Sequence, residues 1–250
     1  MSGGEVWVPR EIASMSGGEV LCYTEPPRNF AGLGDRYHVF THLLKWAWAL
    51  NVTLNVPPPC KMLTPRHNHN IPIDCDFTWD RYFTVKPSHL FTTNPCSLQL
   101  TNFYHLNDLV SIPVETESPV SVTRSSYVIE ETSKLSKDMG LPREYDMIHI
   151  RRTDAAWQCD TNVERMERIL SNHTFATTHV VYATDERDAN YNNRLIQTLQ
   201  NRNLTVDRPY DWLVGRFPRD NYMVFSIEQY LYENAAATHQ WRRGHSCPSA

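Results

Sequence analysis

No stretch of this 250-residue chain approaches the roughly 18 uninterrupted apolar residues that a membrane-spanning helix needs. The segment LLKWAWAL is short and carries Lys45. The opening MSGGEVWVPREIASMSGGEV lacks the basic and apolar regions of a secretory signal, so the expectation is a chain without a membrane span. The hexamer MSGGEV stands at both 1 and 15, and the first twenty residues are therefore given no weight. Positive charge is not in excess: the formal net charge is -4 and the isoelectric point near 6.2. That excludes a nucleic-acid binder relying on a general positive field, and any polyanion must meet a local basic cluster. None of the six cysteines forms a C-x-x-C pair, which argues against a zinc site, while their even number permits disulfides. There is no G-x-S-x-G elbow for a Ser-His-Asp hydrolase. RHNHN (66–70) has no carboxylate at ligand spacing for metal chemistry. Three N-x-[ST] sequons, at Asn51, Asn172 and Asn203, are about what chance supplies.

What is present is an ordinary globular composition, 41% hydrophobic and 21% charged, enough for one domain or two small ones. EVLCYTE (19–25) reads as a strand, followed by a glycine turn, a helix from about Arg36 to Leu50 and a second strand, TLNVP. From Pro57 to about Pro142 the chain is punctuated by proline and rich in aromatics, with TWDRYF and SSYVIEETSKL as its clear helix candidates. The second half is regular. Strand DMIHI (146–150), helix 161–171, strand HVVYAT (179–184), helix 187–202, strand LTV and helix 220–235 alternate, and AAAT reads as strand-like. Such alternation predicts a mostly parallel sheet covered by helices, with a site at the carboxyl ends of its strands.

The chemistry concentrates after those strands. In DMIHIRRTDAAW an apolar strand runs into His149, Arg151, Arg152 and Asp154. Residues alternate along a strand, so His149 and Arg151 share a face while Arg152 starts the turn. Two guanidinium groups repel unless an anion or carboxylate lies nearby. Asp154 can hold one, leaving the other to fork onto a phosphate. The alternative is an Arg-Asp bridge that only closes the strand. After the next strand, VVYATDERDAN places Asp185 and Glu186 at a helix start, where Thr184 or Asp185 would equally serve as an N-cap. Arg242 and Arg243 form a later basic cluster, read as a surface patch or a second phosphate contact. The Gly32 and Gly34 turn presents backbone N–H groups at a helix N-terminus, suited to an anion or simply to a tight turn between strand and helix.

IHIRRTD resembles the H-x-R-R-x-D signature of the α1,6- and protein O-fucosyltransferase superfamily. The glycine turn with LNVTLNVPPP, VVYATDE and the helix NYMVFSIEQYLYENA follow in the family's order, and GLGD is similar to the turn of the bacterial nodulation fucosyltransferases. The resemblance runs over about residues 19–245, and HIRRTD is its specific part. It implies an α/β fold of the GT-B type: two Rossmann-like domains facing a cleft, an acceptor-side domain over 19–142 and a donor-binding domain over 143–250. It also implies that fucose is transferred from GDP-fucose to a glycan or protein hydroxyl with inversion and without a metal ion or other cofactor, in the lumen of the Golgi or endoplasmic reticulum. His149 would lie beside the nucleotide, Arg151 would grip the diphosphate, and Arg152 with Asp154 would shape the loop. Asp185 would brace the donor pocket, Glu228 would stand where the family uses an acid to read guanine, and Gly32 and Gly34 would face the donor.

Two features depart from the family. A lysine and a glutamate follow the R-R-x-D in the α1,6 members, whereas here the chain reads AAWQCDT, and it ends where the family is still building its last donor-domain segment. Asp35, beside the glycine turn, and Asp160 are the base candidates, with Asp35 also placed to cap the following helix. Two alternatives stand beside the transferase: a non-catalytic GDP-sugar- or glycan-binding protein of the same fold, and a transferase of another activated sugar.

Overall fold

Strand-period and helix-period apolar residues sort into two parallel sheets, each within its own unit of the chain. The computed structural model describes residues 20–23, 33–49, 51–92, 98–100, 119–152 and 161–242, by backbone alone at 21–23, 35, 46, 98–100 and 242. The mixed α/β chain divides into two compact units, Met1–Tyr127 with Arg219–Tyr222, and Val128–Pro218 with Met223–Ala250.

In the first unit β1 (Val20–Tyr23) leads to α1 (Leu33–Ala49) and β2 (Thr53–Asn55). After these come α2 (Pro59–Met62), β3 (Phe83–Lys86), β4 (Phe91–Thr92), β5 (Leu98–Leu100) and β6 (Ser121–Arg124). The main sheet has the order β4-β2-β1-β5, all parallel, and β3 pairs antiparallel with β6. Val39, Phe40, Leu43, Leu44 and Ala47 recur at helical spacing along α1 and are all buried. Each large apolar side chain withdrawn from water in this way stabilises the unit by roughly 1.5–3 kcal/mol. The helix begins two residues before Asp35, so Gly34 and Asp35 lie in its first turn instead of in a preceding loop. Arg36, only 1% exposed, donates from Nε to the Met62 carbonyl at 3.0 Å.

TWDRYF is a short 3₁₀ turn, Trp79–Arg81, running into β3 instead of a longer helix. The reason is tertiary. Arg81 Nε pairs with Asp220 Oδ2 at 2.8 Å, and Tyr82 donates to Asp220 Oδ1 at 3.0 Å, both from a residue far along the chain. The buried Asn68 secures the same return segment: its amide donates to the carbonyls of Ile71 and Arg219, and its oxygen accepts from Asn221 N. Cys60 and Cys75 form a disulfide.

The second unit follows from α3 (Ser126–Met139), β7 (Asp146–Arg151), α4 (Val163–Asn172), β8 (His179–Thr184), α5 (Ala189–Gln200) and β9 (Thr205–Asp207). It ends with α6 (Pro209–Arg216), α7 (Asn221–Glu233) and β10 (Ala237–Arg242). Gly140, at a φ of 65°, ends α3 in the left-handed conformation that a side chain resists. The sheet order is β10-β7-β8-β9, all parallel. Ile148, Ile150, Val180, Tyr182 and Trp241 pack on Met166 and Leu170 of α4 and on Tyr191, Leu195 and Leu199 of α5. Met147, Val181 and Ala183 are buried in alternation with them, on the other face. The chain advances from β7 through β8 to β9, then crosses back to lay β10 on the far side of β7. The strand order therefore reverses between β7 and β10, which makes the carboxyl ends of that pair the topological switch point of the sheet. The expected elements are present here, and α6, which opens on Pro209, adds a helix that the periodicity does not announce.

Candidate functional site

Every strand of the second sheet delivers arginine at or just past its carboxyl end: Arg151 on β7 with Arg152 just after it, Arg187 after β8, Arg208 after β9 and Arg242 on β10. In the parallel register His149 lies opposite Gln240 and Arg151 opposite Arg242, at the switch point. His149 and Arg151, both half-buried, sit on the face away from the buried Ile148 and Ile150. Gln240 Nε2 lies 3.1 Å from His149 Nδ1, and the Tyr232 ring of α7 stands edge-on to His149 at 6.5 Å.

α7 covers that face and runs back along it, since β10 begins opposite Asp146, the first residue of β7. Its earlier turns lie toward the carboxyl edge. Glu228, one turn before Tyr232, therefore projects from the same stripe of α7 into the region of the strand-end arginines. Glu228 retains some exposure as a residue, yet its Oε1 is closed off from solvent and has no hydrogen-bond partner among the described residues. Burial pushes its carboxyl up to about 7; Arg187 and Arg208 pull it down but offset only part of that. Arg187 and Arg208 share the Tyr210 ring, with guanidinium carbons 4.0 and 5.4 Å from its centroid.

The arginines are not equivalent. Arg152 turns away into the protein: its Nε lies 3.2 Å from Glu186 Oε2, its guanidinium stacks on Tyr191 at 4.3 Å, and its backbone N–H donates to Asp185 Oδ1 at 2.6 Å. Arg152 is thus a brace of the loop, with Glu186 as its ion-pair partner. Asp185 is engaged by the Arg152 backbone and does not cap α5; that cap is Asp188, which accepts from Asn190 N. Asp154, Asp160, Gly32 and Arg243 lie outside the described residues. Asp35 and Gly34 belong to α1 of the first unit.

Arg187, Arg208 and Tyr210 escape a motif-by-motif reading. The signal that would have found them is positional: an arginine within three residues of the ends of β8 and β9, in TDERD and VDRPY. Among the described residues no cluster of histidine, cysteine and carboxylate suits a metal ion, and no helix is long and apolar enough to cross a membrane. The arrangement can bind an anion at the β7/β10 edge and a polar, hydrogen-bonding group beside Glu228. No protein-family model matches the chain, and no curated protein matches its sequence.

Proposed function

We propose that the chain is an inverting glycosyltransferase of the GT-B type that moves fucose from GDP-fucose to a glycan or protein hydroxyl without a metal ion, its two Rossmann-like units corresponding to the two domains of that fold. The observation that carries the reading is the row of arginines along the carboxyl edge of the second sheet, with His149 and Arg151 at the strand-order reversal. That is where open parallel sheets hold nucleotides. The resemblance of HIRRTD and its companion segments to the fucosyltransferase superfamily supplies the sugar, and the Cys60–Cys75 disulfide fits an oxidising lumen.

In this reading the acceptor hydroxyl attacks the anomeric carbon of fucose from the face opposite GDP as the bond to the diphosphate breaks, through an oxocarbenium-like state akin to that of glycoside hydrolysis, and its proton passes to water as the glycosidic bond forms. Negative charge accumulates on the departing diphosphate, and Arg151 stabilises it in place. A unit pair about 4 Å apart at an effective dielectric near 20 interacts by roughly 4 kcal/mol. Even half of that corresponds to a rate factor of about 30. Glu228 reads the guanine, and Arg152, held by Glu186 and Tyr191, keeps the loop that carries Arg151 in shape.

A second reading, a non-catalytic GDP-sugar- or glycan-binding protein, is favoured by one observation: AAWQCDT lacks the lysine and glutamate that follow the R-R-x-D in the α1,6 members. Calorimetry with GDP and a transfer assay with GDP-fucose separate the two. Binding with turnover supports the enzyme, binding without turnover a GDP-sugar-binding protein, and no binding of GDP, GDP-fucose, GDP-mannose or UDP-sugars in a thermal-shift panel defeats both of these and leaves a glycan-binding protein. A ligand at 100 times its dissociation constant adds about 2.7 kcal/mol of stability, well within the range of that panel.

A further inference from the structure

Two buried polar atoms of the second unit lack hydrogen-bond partners among the described residues and belong to electrostatically coupled side chains: Glu228 Oε1 and Arg208 Nε. Arg208 is otherwise well placed. It follows β9 directly, its Nη1 is 3.0 Å from Asp211 Oδ1, and the Tyr210 ring lies beneath it. One edge of the guanidinium is thus anchored by Asp211, while its Nε–H is closed off from solvent and lacks a partner among the described residues. An orphan donor and an orphan carboxyl oxygen each cost folding free energy. Both are relieved at once by a ligand edge that offers an acceptor next to donors.

Resting on the reading of this carboxyl edge as a nucleotide site, we propose that Arg208 is a base-specificity residue, donating its Nε–H to O6 of a guanine whose N1–H and 2-amino group are held by Glu228. Guanine offers acceptor, donor, donor in sequence along that edge. Adenine presents its 6-amino donor to the arginine and a lone pair to the carboxylate, so both contacts become repulsive. Uracil meets the carboxylate with one donor and one acceptor. Arginine also reads guanine through O6 in nucleic-acid recognition, there as a fork onto O6 and N7. Arg187 also stacks on the Tyr210 ring and so helps hold the ring that positions Arg208.

The test is calorimetry on the full chain with GDP, IDP, ADP, 6-thio-GDP and inorganic pyrophosphate. The unaltered protein binds GDP and IDP more tightly than ADP. Arg208→Met weakens GDP and IDP by the same factor, about tenfold to a hundredfold for one charge-assisted hydrogen bond, and leaves pyrophosphate binding and the GDP/IDP ratio unchanged. On the unaltered protein 6-thio-GDP, whose sulfur accepts poorly, binds about tenfold more weakly than GDP, and that gap closes in Arg208→Met. The ligand-side comparison decides the matter if the variant fails to fold. A folded Arg208→Met that binds GDP within about twofold of the unaltered protein, or equal binding of GDP and 6-thio-GDP, overturns the assignment of Arg208 while the nucleotide-site reading stands. Equal affinity for GDP, ADP and pyrophosphate likewise removes base reading and leaves the diphosphate site. Absence of binding by all five ligands defeats the nucleotide-site reading and the inference with it.

Discussion

His239 Nε2 lies 2.6 Å from Oδ1 of Asp146, a carboxylate with no solvent exposure, at the amino edge of the second sheet. Asp146 also accepts from the backbone N–H of Ala176 and Thr177 and from the Thr177 hydroxyl. The other ring nitrogen of His239 is 2.8 Å from His173 Nε2, and Phe175 and Trp241 pack edge-on to His173. The contact ties β10, the returning strand, to β7. It therefore holds together the strand pair whose opposite ends carry the candidate site.

This amino-edge cluster makes the protein acid-sensitive. Two ring nitrogens at hydrogen-bond distance share one proton, so a second proton placed between them breaks the contact. Burial, then the neighbouring His239 and Arg202, hold His173 below the ordinary histidine value of 6.5, although Asp146 pulls the other way. A histidine depressed on folding contributes stability that is intact above 6.5 and fades as pH falls below it. Burial would raise Asp146, but its bonds from His239, Thr177 and Ala176 outweigh that and keep it below 3.8, so its contribution is lost only at still lower pH. Urea melts from pH 8 to 3 should show stability beginning to drop near 6.5, and His173→Phe should flatten that first decline. Asp146→Asn should cost about 3 kcal/mol at pH 7.

Glu228→Gln should act in the opposite pH direction. Burial, only partly countered by Arg187 and Arg208, raises this carboxyl from 4.5 to about 7. An acid raised on folding contributes most below the unfolded value, and stability falls as pH climbs from about 4.5 to about 7. Melts at pH 8 should therefore show Glu228→Gln more stable than the unaltered protein by at most roughly 3 kcal/mol, with no gain at pH 4. The same substitution should weaken GDP and narrow its preference over IDP. A variant destabilised at pH 8 would contradict the assigned burial of this acid.

Arg151→Ala should lower transfer from GDP-fucose by a factor of about 30 or more while melting near the unaltered protein, because Arg151 is only half-buried at a strand end. Arg152→Ala should do the reverse in part. It loses the Glu186 pair and the Tyr191 stack, costing about 1 kcal/mol of stability, with any effect on activity following from the loosened loop. Near-native turnover by Arg151→Ala would remove it from the mechanism.

Asn68→Ala should destabilise the first unit by roughly 2 kcal/mol, since it removes bonds to Ile71, Arg219 and Asn221 and leaves partly buried backbone groups without those partners. Chemical denaturation with a probe in the first unit checks it, and a loss under about 1 kcal/mol would show that water restores those bonds.

Local pattern carried much of the second unit. The apolar run of DMIHI, the capped helices and the strand HVVYAT appear where their periods place them, because each is specified by neighbours within a few residues. The proline-rich middle is harder to read. β3 pairs with β6 across some 40 residues of chain, and Arg81 and Tyr82 are claimed by Asp220, partners that no local window contains.

From the sequence alone came the alternation of strands and helices, the arginine pair at the end of β7 and the resemblance of that motif to a transferase signature. Tertiary structure decided which charges do what. The return of β10 to β7, bringing together residues 91 and 93 positions apart, created the strand reversal, the neighbouring ends of β7 and β8 made Arg152 a brace through Glu186, and folding closed off the Glu228 carboxyl. Burial and electrostatic pairing depend on distances in space, and those are set only when the chain crosses back on itself.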